Sequence, residues 1–365
     1  MTWNPQNPYN LLPELPPQHE IETHRILKAT IEARASLAAL DQAVRRIANP
    51  AVLINSIPLL EAQASSEIEN IVTTSDDLFK FANHATAATD PATKETLNYR
   101  TALFAGVALI RMRPISANTA VDICTIIKGR EMNVRQRPGT YIGNAATQGA
   151  IYTPPEGESV IRDKLTNWER FVHGDHGIDP LITMAIAHYQ FAAIHPFDDG
   201  NGRTGRIMNV LMLIGAELIS EPILYLSRYI IDNKDDYYRL LLQVTRDQNW
   251  EDWILFMIEG IRVTALSTVA KIDDIGELQE QMLIHIREVT SGANADLLAV
   301  LFEQPYCRIA NVIERCSVSR PTATNWLNAL VANGVLIDVK TGRDRLFVNK
   351  TFFDLLTKRE SVSGL

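Results

Sequence analysis

The densest run of chemistry-bearing residues in this chain is His195-Pro196-Phe197-Asp198-Asp199-Gly200-Asn201-Gly202-Arg203-Thr204-Gly205-Arg206. Glycines at 200, 202 and 205 let the backbone approach a ligand closely and adopt dihedrals that other residues avoid. The run is expected to be a loop between two helices, the second spanning Arg206 to Ala216. Free N–H groups at a helix start, together with the positive end of its dipole, make an anion site suited to phosphates. Arg203 and Arg206 lie three apart, so both are expected to face that site and grip phosphate oxygens bidentately. Asp199 offers the hard oxygen ligand that Mg²⁺ prefers when it bridges phosphates. His195 stands at the lip with a side chain that titrates near neutrality, which suits a general base. A base, a metal carboxylate, a glycine cradle and two arginines point to phosphate chemistry. No G-x-x-x-x-G-K-[ST] occurs, so this is not a P-loop.

The elements that must position these residues are mainly helical, and the fold class expected is mainly α. Prolines 5, 8, 13, 16 and 17 keep the first ~18 residues extended, since each lacks an N–H and restrains its predecessor. Apolar residues then recur near 3.6-residue spacing from His19 to about Ile47. A second helix is expected from Pro58, a residue suited to a first turn, to Ile71. Further helical patterns cover Thr93 to Met112 and Ser116 to Lys128. Residues Arg137 to Glu158 break the rhythm with two β-prone pieces, Thr140 to Ile142 and Ala150 to Thr153, and read as a hairpin. Helices resume at Ser159 to His173, at Leu181 to Ile194 after the Asp179-Pro180 start signal, at Asp232 to Arg246, and from Asn249 on toward Val289.

Composition narrows the class. The 365 residues allow two or three domains, and a 46% hydrophobic content supports a sizeable core. A net charge of −8 argues against a dedicated nucleic-acid binder. Cys124, Cys307 and Cys316 lack metal spacing and read as buried thiols of a reducing compartment. With no signal-peptide pattern and no stretch near the ~20 apolar residues of a membrane span, a soluble cytoplasmic protein without a membrane partner is expected.

A compositional shift at Ser291-Gly292-Ala293-Asn294 marks a domain boundary. Beyond it, helical patterns at Asp296 to Phe302, Arg308 to Arg315 and Arg320 to Ala332 precede two apolar strands, Val335 to Ile337 and Leu346 to Val348, around a Thr341-Gly342-Arg343-Asp344 turn. This order resembles a winged helix. Residues 291–365 hold nine Lys/Arg against seven Asp/Glu, a net of only +2. Arg315, Arg320, Lys340, Arg343 and Arg345 do not form an evident basic stripe, so DNA as a partner stays open.

Residues 195–206 match H-P-F-x-[DE]-G-N-G-R-x-x-R at every fixed position, and on that motif the chain is identified as a member of the Fic family of protein adenylyltransferases. The resemblance runs over most of the chain. Ser65 to Thr74 and Glu303 to Arg308 are similar to the Shewanella-type Fic proteins that carry a C-terminal winged helix. It implies an N-terminal helical region over 1–90, a Fic (Fido) core with a β-hairpin flap over 91–262, a connecting helix over 263–290 and the winged helix over 291–365. It also implies AMP transfer from ATP to Tyr, Thr or Ser hydroxyls of a target protein or of the chain itself, with release of pyrophosphate. His195 would take the hydroxyl proton and Asp199 would hold Mg²⁺ or Mn²⁺. Asn201 and the backbone from Gly200 to Gly202 would hold the α- and β-phosphates with help from Arg203, and Thr204 and Gly205 would belong to the same nucleotide-binding run. Arg206 would take the γ-phosphate, and Tyr237 and Tyr238 would lie near adenine and ribose. Ile151 and Tyr152 would form the flap strand that pairs with the target. Ser65, Glu69 and Asn70 match the family's [ST]-x-x-x-E-[GN] inhibitory motif, with Glu69 competing for Arg206. AMP removal with Glu69 orienting a water, and a nucleotide-sensing DNA-binding regulator, are the rival readings. Homodimerisation accords with the family.

Overall fold

The computed structural model describes residues 3–47, 49–82, 88–143, 149–293, 295–341 and 344–358. An extended arm precedes the first helix. It is pinned where Asn167 both accepts from the Leu15 N–H (2.8 Å) and donates to the Leu15 carbonyl (3.0 Å). Leu12 and Leu15 are buried beneath it. Helix α1 (His24–Arg46) starts where the Thr23 hydroxyl accepts from the Ile26 N–H, five residues later than its periodicity suggested. Helix α2 (Ala51–Ile68) departs further from expectation: it begins seven residues before Pro58 and carries that proline inside. Asn49 supplies the start, its side chain accepting from the Ala51 N–H (3.1 Å). The helix ends at Ile68, before Ile71, because Glu69 leaves helical dihedrals and Asn70 turns left-handed (φ 61°).

A short α3 (Ser75–Phe81), unforeseen in the sequence, is capped by Thr74. Helices α4 (Pro91–Ile110) and α5 (Ala117–Lys128) follow, α5 with a reciprocal cap between Ser116 and Thr119. Strands β1 (Ile142–Gly143) and β2 (Ala150–Tyr152) pair antiparallel, with Ile142 opposite Tyr152. Of the expected hairpin, 144–148 lie outside the described residues. Helix α6 (Glu158–His173) leads to α7 (Pro180–Ile194), where Asp179 accepts from the Leu181 N–H (2.8 Å) and Pro180 occupies the first turn.

Helix α8 (Asn201–Gly215) begins five residues before the Arg206 start read from the sequence. Gly202 and Gly205 are therefore helical, and the loop ends at Gly200. The expected helix over 232–246 is α10 (Lys234–Asp247), and a short helix before it, α9 (Leu226–Asp232), separated from it by Asn233, was not foreseen. Helix α11 (Trp250–Val289) runs 40 residues along α1 and α7. By length and composition it could cross a membrane, contrary to the sequence expectation, but over half of that apolar stretch is buried within the fold. Trp253, Ile254, Met257, Ile258 and Ile261 are each at most 1% exposed.

The C-terminal segment comprises α12 (Ala295–Glu303), β3 (Tyr306–Cys307), α13 (Ile309–Cys316), α14 (Arg320–Ala332), β4 (Ile337–Thr341), β5 (Asp344–Val348) and α15 (Lys350–Thr357). Its sheet has the order β3-β5-β4. Strand β3 and helix α15 were not foreseen, and Asn294, Gly342 and Arg343 lie outside the described residues. This segment leans on the N-terminal part. Phe79 meets Phe353 edge-on (5.9 Å), and the Tyr306 hydroxyl donates to Asp76. The architecture is mainly α with small antiparallel sheets. Cys124, Cys307 and Cys316 are free thiols, the first two buried and the third half-buried.

Candidate active site

The site is built where α7 stops. His195 closes that helix in the left-handed region (φ 51°), its N–H donating to the Phe191 carbonyl (3.0 Å), and Pro196 prevents another turn. The carbonyls freed at a helix end need donors, and Arg135 supplies them. Its Nε donates to the His195 carbonyl (2.8 Å), and its terminal nitrogen reaches the carbonyls of Ile194 (3.3 Å) and Pro155. Arg135 is 3% exposed and joins the helix end to the segment after β2. Burial, and next the Arg135 charge, push the half-buried His195 imidazole down to about 4. The ring is therefore neutral at pH 7, the form a proton acceptor requires.

The loop is held by its own side chains. Asn201 accepts from the Phe197 N–H (2.8 Å) and donates to the Phe197 carbonyl (2.7 Å), which commits both ends of its amide to the turn. Gly200 is left-handed (φ 86°), and a Cβ there would come 3.1 Å from Cys124 Sγ. A Cβ on Gly202 would lie 2.0 Å from Glu69 Oε1. The space that Gly202 leaves open at the N-terminal turn of α8 thus holds a carboxylate, in the position where helix geometry favours an anion.

The two arginines of the motif part company. Arg203 is 1% exposed; it binds Glu95 of α4 (2.7 Å) and approaches Asp199 (3.6 Å). Lys128 of α5 bridges Glu95 and Asp199 at 2.5 Å each. Partial burial opposes charge on Asp199 and Glu95, but Lys128 and Arg203 outweigh it and hold both carboxyls below their usual range. Arg206 faces α2 instead. Its Nε donates to Ser65 Oγ (2.8 Å), and its terminal nitrogen donates to the Ser65 carbonyl (2.8 Å) and to Glu69 Oε1 (2.9 Å). Burial disfavours the guanidinium, yet Glu69 holds its pKa above the usual value. Asn70 accepts from Lys234 at the start of α10 (3.3 Å).

Tyr237 and Tyr238 stand on α10 with rings 5.1 Å apart. Tyr237 is buried, and its hydroxyl bonds the His188 ring nitrogen (2.8 Å), while Tyr238 is 42% exposed. Burial, then the Arg206 charge, hold His188 down at about 4. The flap residues also separate, as alternation along a strand requires. Ile151 faces outward, whereas Tyr152 turns inward and donates to the Ala193 carbonyl on α7 (2.8 Å). Thr204 is fully buried in α8, and Gly205 lies against Phe191 and His188.

Sequence reasoning did not find Glu95, Lys128, Arg135 or His188. Each sits in an ordinary helical or extended pattern, and the only signal was charge at positions otherwise facing a core. Among the described residues no cluster of three or more His, Cys, Asp or Glu could by itself hold a metal ion. One half-exposed carboxylate, Asp199, could serve as a donor here. That suits Mg²⁺, which takes one or two protein carboxylates and draws the remaining ligands from phosphate and water.

Three family models match successive stretches: Fic/DOC family N-terminal over 27–108, Fic/DOC family over 116–213, and the C-terminal domain of SoFic-like protein adenylyltransferases over 278–352. Over these stretches the chain is similar to the Fic/DOC family, each model spanning less than a third of its length. It is similar to Protein adenylyltransferase Fic of Drosophila melanogaster, 39% identical over 78 residues, and to that of Drosophila virilis, 34% over 77. These matches take in 20% of this chain and only 15–16% of the relatives' length. Two solved structures share the fold: a Fic family protein of Desulfovibrio desulfuricans (TM-score 0.57, 17% identity, 95% of this chain and all of that one) and Fic-1 of C. elegans (0.51, 17%, 71% and 76%).

Proposed function

We propose that this protein transfers AMP from ATP to a Tyr, Thr or Ser hydroxyl of a target protein, and that Glu69 restrains the reaction. The observation that carries this reading is the Glu69 carboxylate seated at the first turn of α8 and bound to Arg206 at 2.9 Å. A carboxylate there holds the place of a phosphate and the arginine that would bind it. The names of the relatives and the SoFic-like C-terminal match support the same class of activity.

In the reaction, neutral His195 accepts the target hydroxyl's proton as the oxygen attacks the α-phosphorus and pyrophosphate leaves. The α8 N-terminus and Arg206 orient the phosphates for in-line attack, a positioning effect worth orders of magnitude in rate. Asp199 would hold Mg²⁺, which supplies charge neutralisation at the phosphates. Arg203 and Lys128 hold that carboxylate in place from below. Ile151 and the β2 backbone would present the target segment. The C-terminal helices and sheet are read as a winged helix.

The test is incubation of a cell lysate with α-labelled ATP and the unmodified protein, Glu69→Gly or His195→Ala. Label transfer should rise with Glu69→Gly and be lost with His195→Ala. Equal labelling by all three would sink the reading. Release of AMP from a premodified target by the unmodified protein, absent in Glu69→Gly, would favour AMP removal instead.

A further inference from the structure

A second carboxylate lies behind Arg206. Glu61 is one turn before Ser65 on α2, so the two share a helix face, and Glu69 closes the helix one turn further on. It is 2% exposed, and burying a charge is costly unless it is well bonded. Its oxygens accept from the Tyr99 hydroxyl (2.9 Å), from the Ser227 N–H (2.9 Å) and from the Ser227 hydroxyl. Tyr99, on α4, is fully buried and interacts in turn with the Ser65 hydroxyl. Ser65 is the residue whose Oγ accepts from Arg206 Nε at 2.8 Å.

The order of donors follows from this arrangement. Carboxylate oxygens only accept, so Tyr99 spends its proton on Glu61 and its oxygen faces the Ser65 hydroxyl. Ser65 is thereby left with a lone pair toward Arg206 Nε. The polarity of a buried anion is passed through two hydroxyls to a buried cation. Burial raises the Glu61 carboxyl above its usual range, while its bonds from Ser227 and Tyr99 and the Arg206 charge favour the ionised form.

The geometry points to Glu61 and Tyr99 as positioning residues that hold Arg206 aimed at the γ-phosphate of ATP once Glu69 has left. This rests on the assignment of Arg206 to that phosphate. Arg206 is 2% exposed, so without Glu69 it would be a buried guanidinium in need of a counter-charge, and the relay leads to one. Glu69 is one-third exposed at the loosened end of α2 and can withdraw; Glu61 is locked between α4 and α9. The two acids therefore have opposite duties toward one arginine.

The test measures ATP and ADP affinities, with Mg²⁺, of the full chain in the Glu69→Gly background by titration calorimetry. The variants are Glu69→Gly alone and with Tyr99→Phe, with Glu61→Gln or with Arg206→Ala. Glu69→Gly should prefer ATP to ADP, and Arg206→Ala should erase the preference. Tyr99→Phe and Glu61→Gln should each cut it by about tenfold, the weight of one charge-assisted hydrogen bond, with ADP affinity unchanged. Thermal unfolding shows which of the two variants is folded, and either suffices. Equal losses for ATP and ADP, or an intact preference, would overturn the proposal as a merely structural role. If Glu69→Gly itself shows no preference, the γ-phosphate assignment of Arg206 fails and this inference falls with it.

Discussion

Arg203 and Arg206 are three residues apart on one helix, both at most 2% exposed, and each meets a glutamate from a distant helix. The pairs are nevertheless unlike. Glu95 comes from the body of α4, is shared with Lys128 and belongs to a four-charge group that also fixes Asp199. Glu69 comes from the frayed end of α2, beside a left-handed Asn70, and bonds Arg206 alone. Both pairs have short contacts, so distance does not separate them; the rigidity of what carries the acid does. A pair whose acid stands within a helix and is shared with a second cation is architecture. A pair made by a helix terminus can be exchanged for a phosphate.

The widest separation of the two should come from removing each acid. Glu69→Gly is expected to raise AMP transfer by roughly 5- to 150-fold, the span of a typical coupling between sites. Glu95→Gln should do the reverse, lowering transfer and costing about 1–3 kcal/mol by leaving Arg203 and Lys128 short of an acceptor. Rates with labelled ATP and denaturant midpoints decide it. The same sign of activity change in both would erase the distinction.

A double-mutant cycle on Gly202 sharpens the Glu69 side. In the unmodified chain Gly202→Ala drives a Cβ into the Glu69 carboxylate, so it should destabilise. In Glu69→Gly the carboxylate is gone and only the far end of the flexible Arg206 side chain stays close (3.0 Å), so the penalty should shrink and alanine's helix propensity, worth up to about 1 kcal/mol, should offset it. Gly205→Ala, whose Cβ would meet Phe191 at 3.3 Å, should show no such dependence on residue 69.

The smallest expected effect is in pH. His195 and His188 both titrate at about 4 in the fold, against 6.5 when unperturbed. Between those values the unfolded chain binds more protons, so their contribution to stability is complete above 6.5 and is lost as pH falls toward 4. Transfer by Glu69→Gly should accordingly stay flat from about pH 8 to about 6. A decline centred on 6.5 would show that His195 is not held neutral.

Legibility was uneven along the chain for physical reasons. The Asp179-Pro180 start of α7 could be read because a cap and an N1 proline are local chemistry. Pro58 misled for the same reason: it was taken as a start, when Asn49 had already begun the helix and tertiary packing tolerated the proline. The start of α8 was displaced because three glycines read as a loop, whereas Gly202 and Gly205 serve to let Glu69 and Phe191 come close to a helix. Apolar periodicity in α11 was sufficient to suggest its full length, yet its distance from membrane character depended on α1 and α7 covering it.

The order His195 to Arg206, the Ser65-to-Glu69 spacing and the succession of helices are properties of the chain itself, since each depends on residues within a turn or two of one another. Which charge meets which is not. Glu95 reaches Arg203 across 108 positions, Arg135 reaches His195 across 60, and Ser65 reaches Arg206 across 141. Those pairings are set by packing of apolar faces that carry no record of their polar neighbours. Only the tertiary structure decided that two like arginines would be partnered by one fixed acid and one that can leave.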